Sequence, residues 1–270
     1  MNKIAKALTI AGSDSGGGAG ILADIKTFQE LEVFGMSAIT AITAQNTLGV
    51  QGVYPLSVEA VQEQIKSIGE DIGTDALKTG MLFSSEIIQV VAEQIKHYQW
   101  RNVVVDPVMI AKGGASLLQR EAIEALKKDL LPLATVITPN IPEAELLTGI
   151  TIKRLADRQK AAQYLCDLGV AHVVIKGGHG EGELVDLLFD GKEFTEYPSE
   201  RIQTKNTHGT GCTFAAAVTA ELAKGKGVKE AVQVAKEFIQ AAVENQIEVG
   251  HGHGPTNHWA YRREKMKKHR

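Results

Sequence analysis

Short apolar runs rich in β-branched residues alternate along the chain with longer stretches in which apolar residues recur every three or four positions. The short runs predict buried strands, and the longer stretches predict amphipathic helices. The predicted strands cover residues 6–12, 37–44, 75–80, 102–108, 134–139, 172–178 and 185–191. The predicted helices cover residues 21–31, 58–68, 85–98, 120–131, 158–169, 211–224 and 228–245.

This alternation predicts an α/β fold in which helices cover both faces of a largely parallel sheet. No repeat, low-complexity segment or Pro/Ser-rich linker divides the chain, so we expect one domain over residues 1–270. The stretch 261–270 is basic, and we expect the segment from about 259 to 270 to form a solvated, frayed tail.

Composition and charge narrow the partners and the compartment. The formal net charge of -3 gives no electrostatic reason to expect nucleic-acid binding. The two cysteines, Cys166 and Cys212, form no CxxC pair, which argues against a disulfide framework and favours a reducing compartment. No apolar run approaches the length of a membrane helix, and the N-terminus lacks the features of a signal peptide. We therefore expect a cytoplasmic protein without membrane partners.

Polar groups or glycines follow six of the predicted strands. In open α/β sheets, ligands bind at the carboxyl ends of the strands. The sequence therefore predicts one long crevice along one edge of the sheet. The residues expected to line it are Gly12-Ser13-Asp14, Gln45-Asn46, Thr79-Gly80, Asp106, Asn140 and Lys176-Gly177-Gly178.

The segment NTHGTGCTF (206–214) is a Gly-rich turn that opens onto an alanine-rich helix and carries a thiol. Exposed N–H groups at a helix N-terminus favour a phosphate or a developing negative charge. A glycine turn followed by a buried structural cysteine explains the same pattern, so the stretch alone leaves both interpretations open.

Two familiar phosphate-binding motifs are absent from the sequence. The Gly-Lys pairs at 191–192 and 225–226 are followed by Glu193 and Gly227, so neither forms a Walker A loop. The glycines of GSDSGGGAG (12–20) do not have the GxGxxG spacing of a dinucleotide site. If the turn at 206–214 binds a phosphate, it therefore does so without a Walker A loop or a GxGxxG dinucleotide site.

Several motifs, in this order along the chain, resemble those of the ribokinase-like small-molecule kinases, and among them the hydroxymethylpyrimidine/phosphomethylpyrimidine kinases of thiamine biosynthesis. The resemblance covers roughly residues 5–258. The motifs are AGSDSGGGAG, AITAQNTLGV, LKTGML, VVDPVMIAKGG, TPNIPEAE and THGTGCT. It implies ATP and Mg²⁺ as cofactors, leaves open a monovalent cation, and implies a homodimer by analogy. It also implies two successive phosphoryl transfers, first to the hydroxymethylpyrimidine and then to its monophosphate.

The resemblance assigns the turn before the late helix to the transferring phosphoryl group. Gly209, Thr210, Gly211 and Cys212 would present backbone N–H groups as an anion hole. Most ribokinase-like enzymes carry an aspartate base where this chain has Cys212. A thiol at a helix N-terminus has a lowered pKa, so we expect a thiolate near neutral pH that accepts the hydroxymethyl proton. The alternative is that the cysteine only lines the pocket.

Further residues are assigned to the metal and the nucleotide. Asn140 and Glu143 form an Asn-x-x-Glu pair after a strand, and Glu143 would hold Mg²⁺ through its waters, with Asp106 as a second candidate. A glutamate in a first helical turn also interacts favourably with the helix dipole. Lys176 would contact the nucleotide phosphates, although a lysine at a strand end also commonly extends to solvent. The remaining candidates, Lys205 and Thr207, flank the anion hole.

The resemblance assigns the pyrimidine ring to Asp24, Gln45, Met81 and Val108. Gln45 offers both a donor and an acceptor to an aminopyrimidine edge. Asp24 would accept from the amino group, while Met81 and Val108 would sandwich the ring. Ordinary core packing explains the two apolar residues equally well, and a solvent-facing helix position explains Asp24.

Three histidines, His251, His253 and His258, lie close together in VGHGHGPTNH, where we expect a closing loop near the nucleotide end rather than a metal site. We expect a structural role for His208. Two rival functions stay open: a pyridoxal or pyridoxine kinase of the same fold, with dual activity included, and a non-catalytic nucleotide-binding regulator. A turnover assay separates the regulator from both kinases.

Overall fold

The predicted strands recur in the computed structural model, which describes residues 3–109, 120–178 and 184–268. Part of the VVDPVMIAKGG motif lies outside those residues. The strands are β1 (Lys6–Ala11), β2 (Phe34–Ile39), β3 (Ala41–Asn46), β4 (Gly49–Pro55), β5 (Ala76–Thr79), β6 (Val103–Val105), β7 (Val136–Ile137), β8 (His172–Ile175), β9 (Leu184–Phe189) and β10 (Phe194–Ser199).

The helices begin and end close to the predicted bounds, and several start at a capping side chain. Ser57 and Ser84, for example, each accept a hydrogen bond from a backbone N–H in the first turn of the helix that follows. The helices are α1 (Gly20–Glu30), α2 (Val58–Asp71), α3 (Ser85–His97), α4 (Arg120–Ala125), α5 (Ile141–Thr148), α6 (Leu155–Asp167), α7 (Thr210–Ala223), α8 (Val228–Glu244) and α9 (Ala260–Lys268). A π-helical turn at Leu126–Leu130 extends α4.

Among the described residues, eight strands form one sheet in the order β10-β9-β8-β7-β6-β5-β1-β2. The six neighbouring strands β8, β7, β6, β5, β1 and β2 pair in parallel. Strands β9 and β10 add antiparallel pairs at the β8 edge. Apolar side chains alternate between the faces: in β6, Val103 and Val105 belong to the core under α2 to α6, whereas Val104 belongs to the core under α1, α7 and α8. The predicted α/β fold with a mostly parallel sheet is confirmed.

The predicted strand at 37–44 is wrong in one respect, because the chain leaves the sheet in its middle. Thr40 is buried between β2 and β3, where its N–H donates to Ala11 O and its hydroxyl donates to Met81 O. β3 then pairs with β4 in a separate antiparallel hairpin. The residues of β4 carry little sign of a strand, since they include glycine and proline, which are poor strand formers.

The expected frayed tail is also wrong, because residues 260–268 form α9. Ala260 and Tyr261 are buried, and the Tyr261 ring packs against Phe238 of α8 with 5.4 Å between the ring centroids. Arg262, Arg263, Lys265 and Lys267 of α9 are exposed. No helix within the described residues combines the length and apolar character needed to cross a membrane.

A charged pair lies inside the core, beneath the carboxyl edge of the sheet. Lys78 of β5 and Asp24 of α1 are both fully buried, and the Lys78 ammonium lies 3.0 and 2.9 Å from the two carboxylate oxygens. The Thr9 hydroxyl also donates to Asp24, at 2.6 Å. Burial lowers the pKa of Lys78, but Asp24, Cys212 and Asp106 together outweigh it, so the pKa is raised and the lysine stays protonated. The prediction that Asp24 contacts a ring is therefore wrong: Lys78 and Thr9 occupy its oxygens.

Replacing Lys78 by Met should destabilise the fold by about 3–5 kcal/mol, because it leaves a buried carboxylate without its partner. Urea denaturation measures the free energy of unfolding. The double variant Lys78→Met/Asp24→Leu should recover most of the loss, since it removes both charges. The control is Lys3→Met, which breaks the surface pair with Asp75 and should cost less than about 1 kcal/mol. Wild-type stability of the single variant would contradict this account of the core.

Candidate active site

An open cleft of about 520 Å³ runs along the carboxyl edge of the sheet. The hairpin residues Thr43 and Gln45 flank one end of it, and residues of α8 flank the other. The predicted crevice is therefore present. The residues after the sheet strands that line it are Gly12, Ser13, Asp14, Gly80, Asp106, Asn140, Lys176 and Gly178.

The N-terminal turn of α7 faces the middle of the cleft. Gly209 has φ +79°, and a Cβ there would overlap the carbonyl oxygen of Gly18, so only glycine fits. At Gly211, a Cβ would lie 3.4 Å from the Lys176 ammonium. The first N–H groups of a helix have no partner within the helix. This turn therefore offers N–H groups and an ammonium to one anion, and Gly209, Thr210, Gly211 and Cys212 all line the cleft as predicted.

The thiol of Cys212 is partly exposed at the start of α7. The backbone N–H of Gly20, the first residue of α1, donates a hydrogen bond to it. Burial is the main cause that raises the pKa of the thiol to about 11; the nearby Asp106 and Asp24 carboxylates act in the same direction, and Lys78 opposes them. The expected lowered pKa is wrong, because the helix N-terminus and Lys78 do not offset the loss of water and two nearby carboxylates.

Asp106 follows β6 and is only 2% exposed. Its Oδ1 accepts hydrogen bonds from the Lys176 ammonium at 3.2 Å and from the Thr138 hydroxyl at 3.3 Å. Its Oδ2 is buried and has no hydrogen-bond partner within the described residues. That oxygen lies 4.0 Å from where a Cβ would stand on Gly211, so the unpaired oxygen lies beside the α7 turn.

Asn140 and Glu143 form a reciprocal capping box at the start of α5. Asn140 Oδ1 accepts from the Glu143 N–H at 2.9 Å, and Glu143 Oε2 accepts from the Asn140 N–H at 2.8 Å. Burial is the main cause that raises the pKa of Glu143 to about 7; Lys176 opposes it and Asp106 acts in the same direction as burial. Both residues line the cleft. The other oxygen of Glu143 remains outside the capping box.

The three remaining residues predicted for the ring, Gln45, Met81 and Val108, all line the cleft. Gln45 Oε1 lies 3.0 Å from Thr43 Oγ1, and Gln45 Nε2 lies 3.3 Å from His208 Nε2. The other contact of His208 is Asp14 Oδ2, at 2.8 Å from its Nε2. The cleft therefore combines the apolar side chains of Met81 and Val108 with the Gln45 amide, which Thr43 and His208 contact.

The far end of the cleft contains residues that the sequence analysis missed. Lys236 of α8 lies 2.7 Å from Asp186, whose other oxygen accepts from the Gly177 N–H at 2.7 Å. The apolar residues Leu184, Ile202, Ile239 and Val243 surround this pair. Helical periodicity places Lys236 on α8 but carries no sign of the cleft. Lys78 also lines the cleft and was also missed. Its sequence context did offer a signal, because a lysine in the middle of a buried strand is unusual.

Two predicted residues differ in how they relate to the cleft. Thr207 lines it, whereas Lys205 is exposed and does not. The chain turns at Asn206, which is buried against Gly254, and this turn leaves Lys205 on the outer surface. Lys205 therefore takes no part in the arrangement.

The segment 250–255 crosses from the start of α7 to the hairpin, and we refer to it as the glycine strap. The N–H groups of Gly252 and His253 donate to the hydroxyl and carbonyl oxygens of Thr47, at 3.2 and 2.8 Å. His208 and Pro255 form a β-bridge at its other end. The strap therefore lies at the hairpin end of the cleft, not at the opposite end as expected.

The three histidines of this region do not converge. His251 and His253 are exposed, whereas His258 is buried and lies 3.1 Å from the Thr213 hydroxyl. Burial, with Lys26 nearby, lowers the pKa of His258 to about 4. Within the described residues, no group of three or more His, Cys, Asp or Glu side chains is arranged to hold a metal ion.

Comparisons with known sequences agree with this geometry. A family model described as phosphomethylpyrimidine kinase matches residues 14–257. The chain is 59% identical to the hydroxymethylpyrimidine/phosphomethylpyrimidine kinase of Bacillus subtilis, over 97% of this chain and 98% of that protein. Identity to the protein of the same name from Haemophilus influenzae is 54%, over 97% and 100%. A pyridoxine kinase of Bacillus subtilis is 50% identical, over 95% and 97%.

Solved structures show the same fold with nucleotides bound. The ADP complex of Bacillus subtilis pyridoxal kinase superposes with a TM-score of 0.90 at 49% identity, covering 96% of this chain and 99% of that one. Staphylococcus aureus pyridoxal kinase with AMP-PCP and pyridoxal gives a TM-score of 0.87 at 43% identity, covering 96% and 95%. These relatives are kinases, and the family match covers most of the residues. The chain is therefore a ribokinase-like phosphotransferase that belongs to the phosphomethylpyrimidine kinase family.

Proposed function

We propose that this enzyme transfers the γ-phosphoryl group of ATP to 4-amino-5-hydroxymethyl-2-methylpyrimidine and then to its monophosphate, giving the diphosphate used in thiamine biosynthesis. One observation carries the proposal. The N-terminal turn of α7, with Cys212, lines the same cleft as the Gln45 amide and the apolar side chains of Met81 and Val108. The names of the relatives support this choice of substrate.

The α7 turn serves the transferring group. Phosphoryl transfer needs positioning and charge stabilisation more than covalent help from the protein. The backbone N–H groups of Gly211 and Cys212 and the ammonium of Lys176 would contact the equatorial oxygens as negative charge shifts between them. Gly209 and Thr210 shape the turn, since Gly209 takes the left-handed conformation and the Thr210 hydroxyl donates to Thr207 O.

Cys212 would accept the proton of the substrate hydroxyl. In the first transfer, the hydroxymethyl oxygen bonds to the γ-phosphorus while the bond to the departing ADP breaks, and the hydroxyl proton goes to the Cys212 sulfur. The high pKa of this thiol makes its thiolate a strong base but a scarce one at neutral pH. In a loose transition state, the substrate hydroxyl keeps most of its proton until the phosphoryl group has largely moved. A thiolate that is present in only a small fraction of the molecules can therefore still serve as the proton acceptor.

Two carboxylates fit the Mg²⁺ that accompanies ATP. Mg²⁺ prefers oxygen ligands and retains several of its waters. Asp106 Oδ2, buried without a partner among the described residues, and Glu143 Oε1, outside the capping box, would hold the ion or its waters. The bound ion would supply charge neutralisation for the nucleotide phosphates. Lys176 would contact the same phosphates, and Asn140 would hold Glu143 in place.

The far end of the cleft would receive the nucleoside part of ATP. It is apolar around Leu184 and Val243 and carries the Asp186–Lys236 pair. The nucleotide complexes of Staphylococcus aureus pyridoxal kinase support a nucleotide site in this fold. We also propose a homodimer, by analogy with the fold family, and a cytoplasmic location, where Cys166 and Cys212 would stay free thiols.

The second candidate function is phosphorylation of pyridoxal or pyridoxine. The 50% identity to a pyridoxine kinase, over 95% of this chain, supports it. A ring pocket built around an amide rather than a charged group favours the neutral aminopyrimidine. The two activities are compatible, and a regulator without turnover is the least supported alternative, because the set of transfer residues is complete.

Purified protein with ATP and Mg²⁺ should convert hydroxymethylpyrimidine first to the monophosphate and then to the diphosphate, with one ADP released per step. The reason is that one α7 turn and one ring pocket serve both acceptors. Mass spectrometry of the products against time measures both steps. Efficient turnover of pyridoxine without any of hydroxymethylpyrimidine would contradict the substrate assignment, and absence of turnover with every ring alcohol would favour the regulator.

The Cys212→Ala variant should slow the first transfer by about a hundredfold or more, the scale of losing a positioned proton acceptor. In the wild type, the thiolate fraction increases about tenfold per pH unit below the pKa of about 11, so the single-turnover rate should rise from pH 7 to pH 9 without a plateau. The variant should lose this rise while keeping its ATP affinity. A flat wild-type profile with an unchanged Ala rate would show that Cys212 only lines the pocket.

The Glu143→Gln variant should need at least about tenfold more Mg²⁺ for half-maximal turnover, because it removes a negative charge from the metal site. A glutamine can still accept the Asn140 N–H, so the capping box and the fold should persist. Circular dichroism checks the fold. The matched control is Glu145→Gln on the same helix, whose carboxylate accepts from the Ile152 N–H away from the cleft. Equal Mg²⁺ dependence of the two variants would exclude this role for Glu143.

A further inference from the structure

The amide of Gln45 has two neighbours whose hydrogen atoms can be counted. One end lies 3.0 Å from the Thr43 hydroxyl and the other lies 3.3 Å from His208 Nε2. The oxygen and nitrogen of an amide have nearly the same shape, so their hydrogen-bond partners decide which end is which. The orientation of the amide matters because it determines where a bound ring faces a hydrogen-bond donor and where it faces an acceptor.

His208 Nε2 carries a hydrogen. It lies 2.8 Å from Asp14 Oδ2, and the same carboxylate accepts from the N–H groups of Gly16, Gly18 and Ala19. Burial raises the pKa of Asp14, but His208 and these N–H groups outweigh it and hold the pKa below its ordinary value. An ionised carboxylate only accepts hydrogen bonds, so the His208 nitrogen that faces it must donate.

Thr43 has a single hydroxyl hydrogen, and Ser13 O lies 2.8 Å from that hydroxyl. Ser13 O only accepts, and it lies closer to the Thr43 hydroxyl than Gln45 Oε1 does, at 2.8 against 3.0 Å, so we assign the single hydrogen to Ser13. An amide oxygen turned toward Thr43 would face an oxygen that has no hydrogen left for it. An amide nitrogen turned toward His208 would face another N–H. With Oε1 toward Thr43 and Nε2 toward His208, both contacts would be mismatched.

A half-turn of the amide removes both mismatches at once. We propose that His208 and Thr43 hold the Gln45 amide with Oε1 toward His208 and Nε2 toward Thr43, and that this fixed polarity selects the ring. His208 Nε2–H then donates to both Asp14 and Gln45, and the Gln45 amide donates one hydrogen to Thr43. One amide hydrogen and one oxygen lone pair remain for the cleft.

The two free positions match an aminopyrimidine edge, an identification that rests on the proposed function. The exocyclic amine would donate to Oε1 on the His208 side, and the adjacent ring nitrogen would accept from Nε2 on the Thr43 side. A ring without the amine leaves the amide oxygen short of a partner, which costs affinity in a partly buried site. His208 and Thr43 therefore act as positioning residues for specificity, through Gln45 rather than by touching the substrate.

Steady-state kinetics with two alcohols test the polarity: hydroxymethylpyrimidine and its analogue lacking the 4-amino group. The wild type should favour the amine by about tenfold or more in kcat/KM. His208→Met and Thr43→Val should each lose most of this preference, mainly through KM. His208→Gln, whose amide N–H reaches the position of Nε2, should retain it. The control His251→Met changes an exposed histidine outside the cleft and should match the wild type.

A measurement on the wild type keeps the test independent of folding in the variants. Ring ¹⁵N–¹H correlation spectra of the full chain should show a protonated Nε2 on His208. An unprotonated Nε2, or an unchanged preference for the amine in both His208→Met and Thr43→Val, would overturn the proposal. Failure of the wild type to phosphorylate hydroxymethylpyrimidine would instead overturn the proposed function, so the two failures are distinguishable.

Discussion

The contact between two glycine turns, at Gly18 and Gly209, is the constraint on which the active site depends. The carbonyl oxygen of Gly18 occupies the space where any side chain on residue 209 would stand. This approach brings the N-termini of α1 and α7 together, so that the Gly20 N–H reaches the Cys212 sulfur. A single methyl group at Gly209 would separate the two turns. The anion hole and the thiol that serves it are therefore positioned by the absence of side chains.

Two lysine–aspartate ion pairs lie near these turns, in surroundings of low dielectric constant. Lys78 pairs with Asp24 and Lys176 pairs with Asp106, and both lysines line the cleft. Burial makes each unpaired charge costly, so both lysines stay protonated opposite their carboxylates. The same burial raises the pKa of the Cys212 thiol and of Glu143. Lys78 and Lys176 therefore stay positively charged, whereas burial favours the neutral forms of Cys212 and Glu143.

Sequence reasoning recovered the features that depend on local pattern. Periodicity and strand-end polarity placed Gly12, Asp106, Asn140 and Lys176 on one edge of the sheet, because parallel strands always present their carboxyl ends together. It failed where a long-range contact decides the outcome. The buried partner of Asp24 lies 54 residues away at Lys78, and the pKa of Cys212 reflects carboxylates from two other elements. Neither effect leaves a trace in the residues next to them along the chain.

The glycine strap has a consequence for the order in which the enzyme is made. The strap fastens Thr47, at the tip of the hairpin that carries Gln45, to Gly252 and His253 near the other end of the chain. Protein chains emerge from the ribosome N-terminus first. The hairpin is therefore synthesised long before the segment that anchors it. The ring pocket cannot be completed before Gly252 and His253 have been synthesised, so a nascent fragment that already has the sheet still lacks the finished acceptor site.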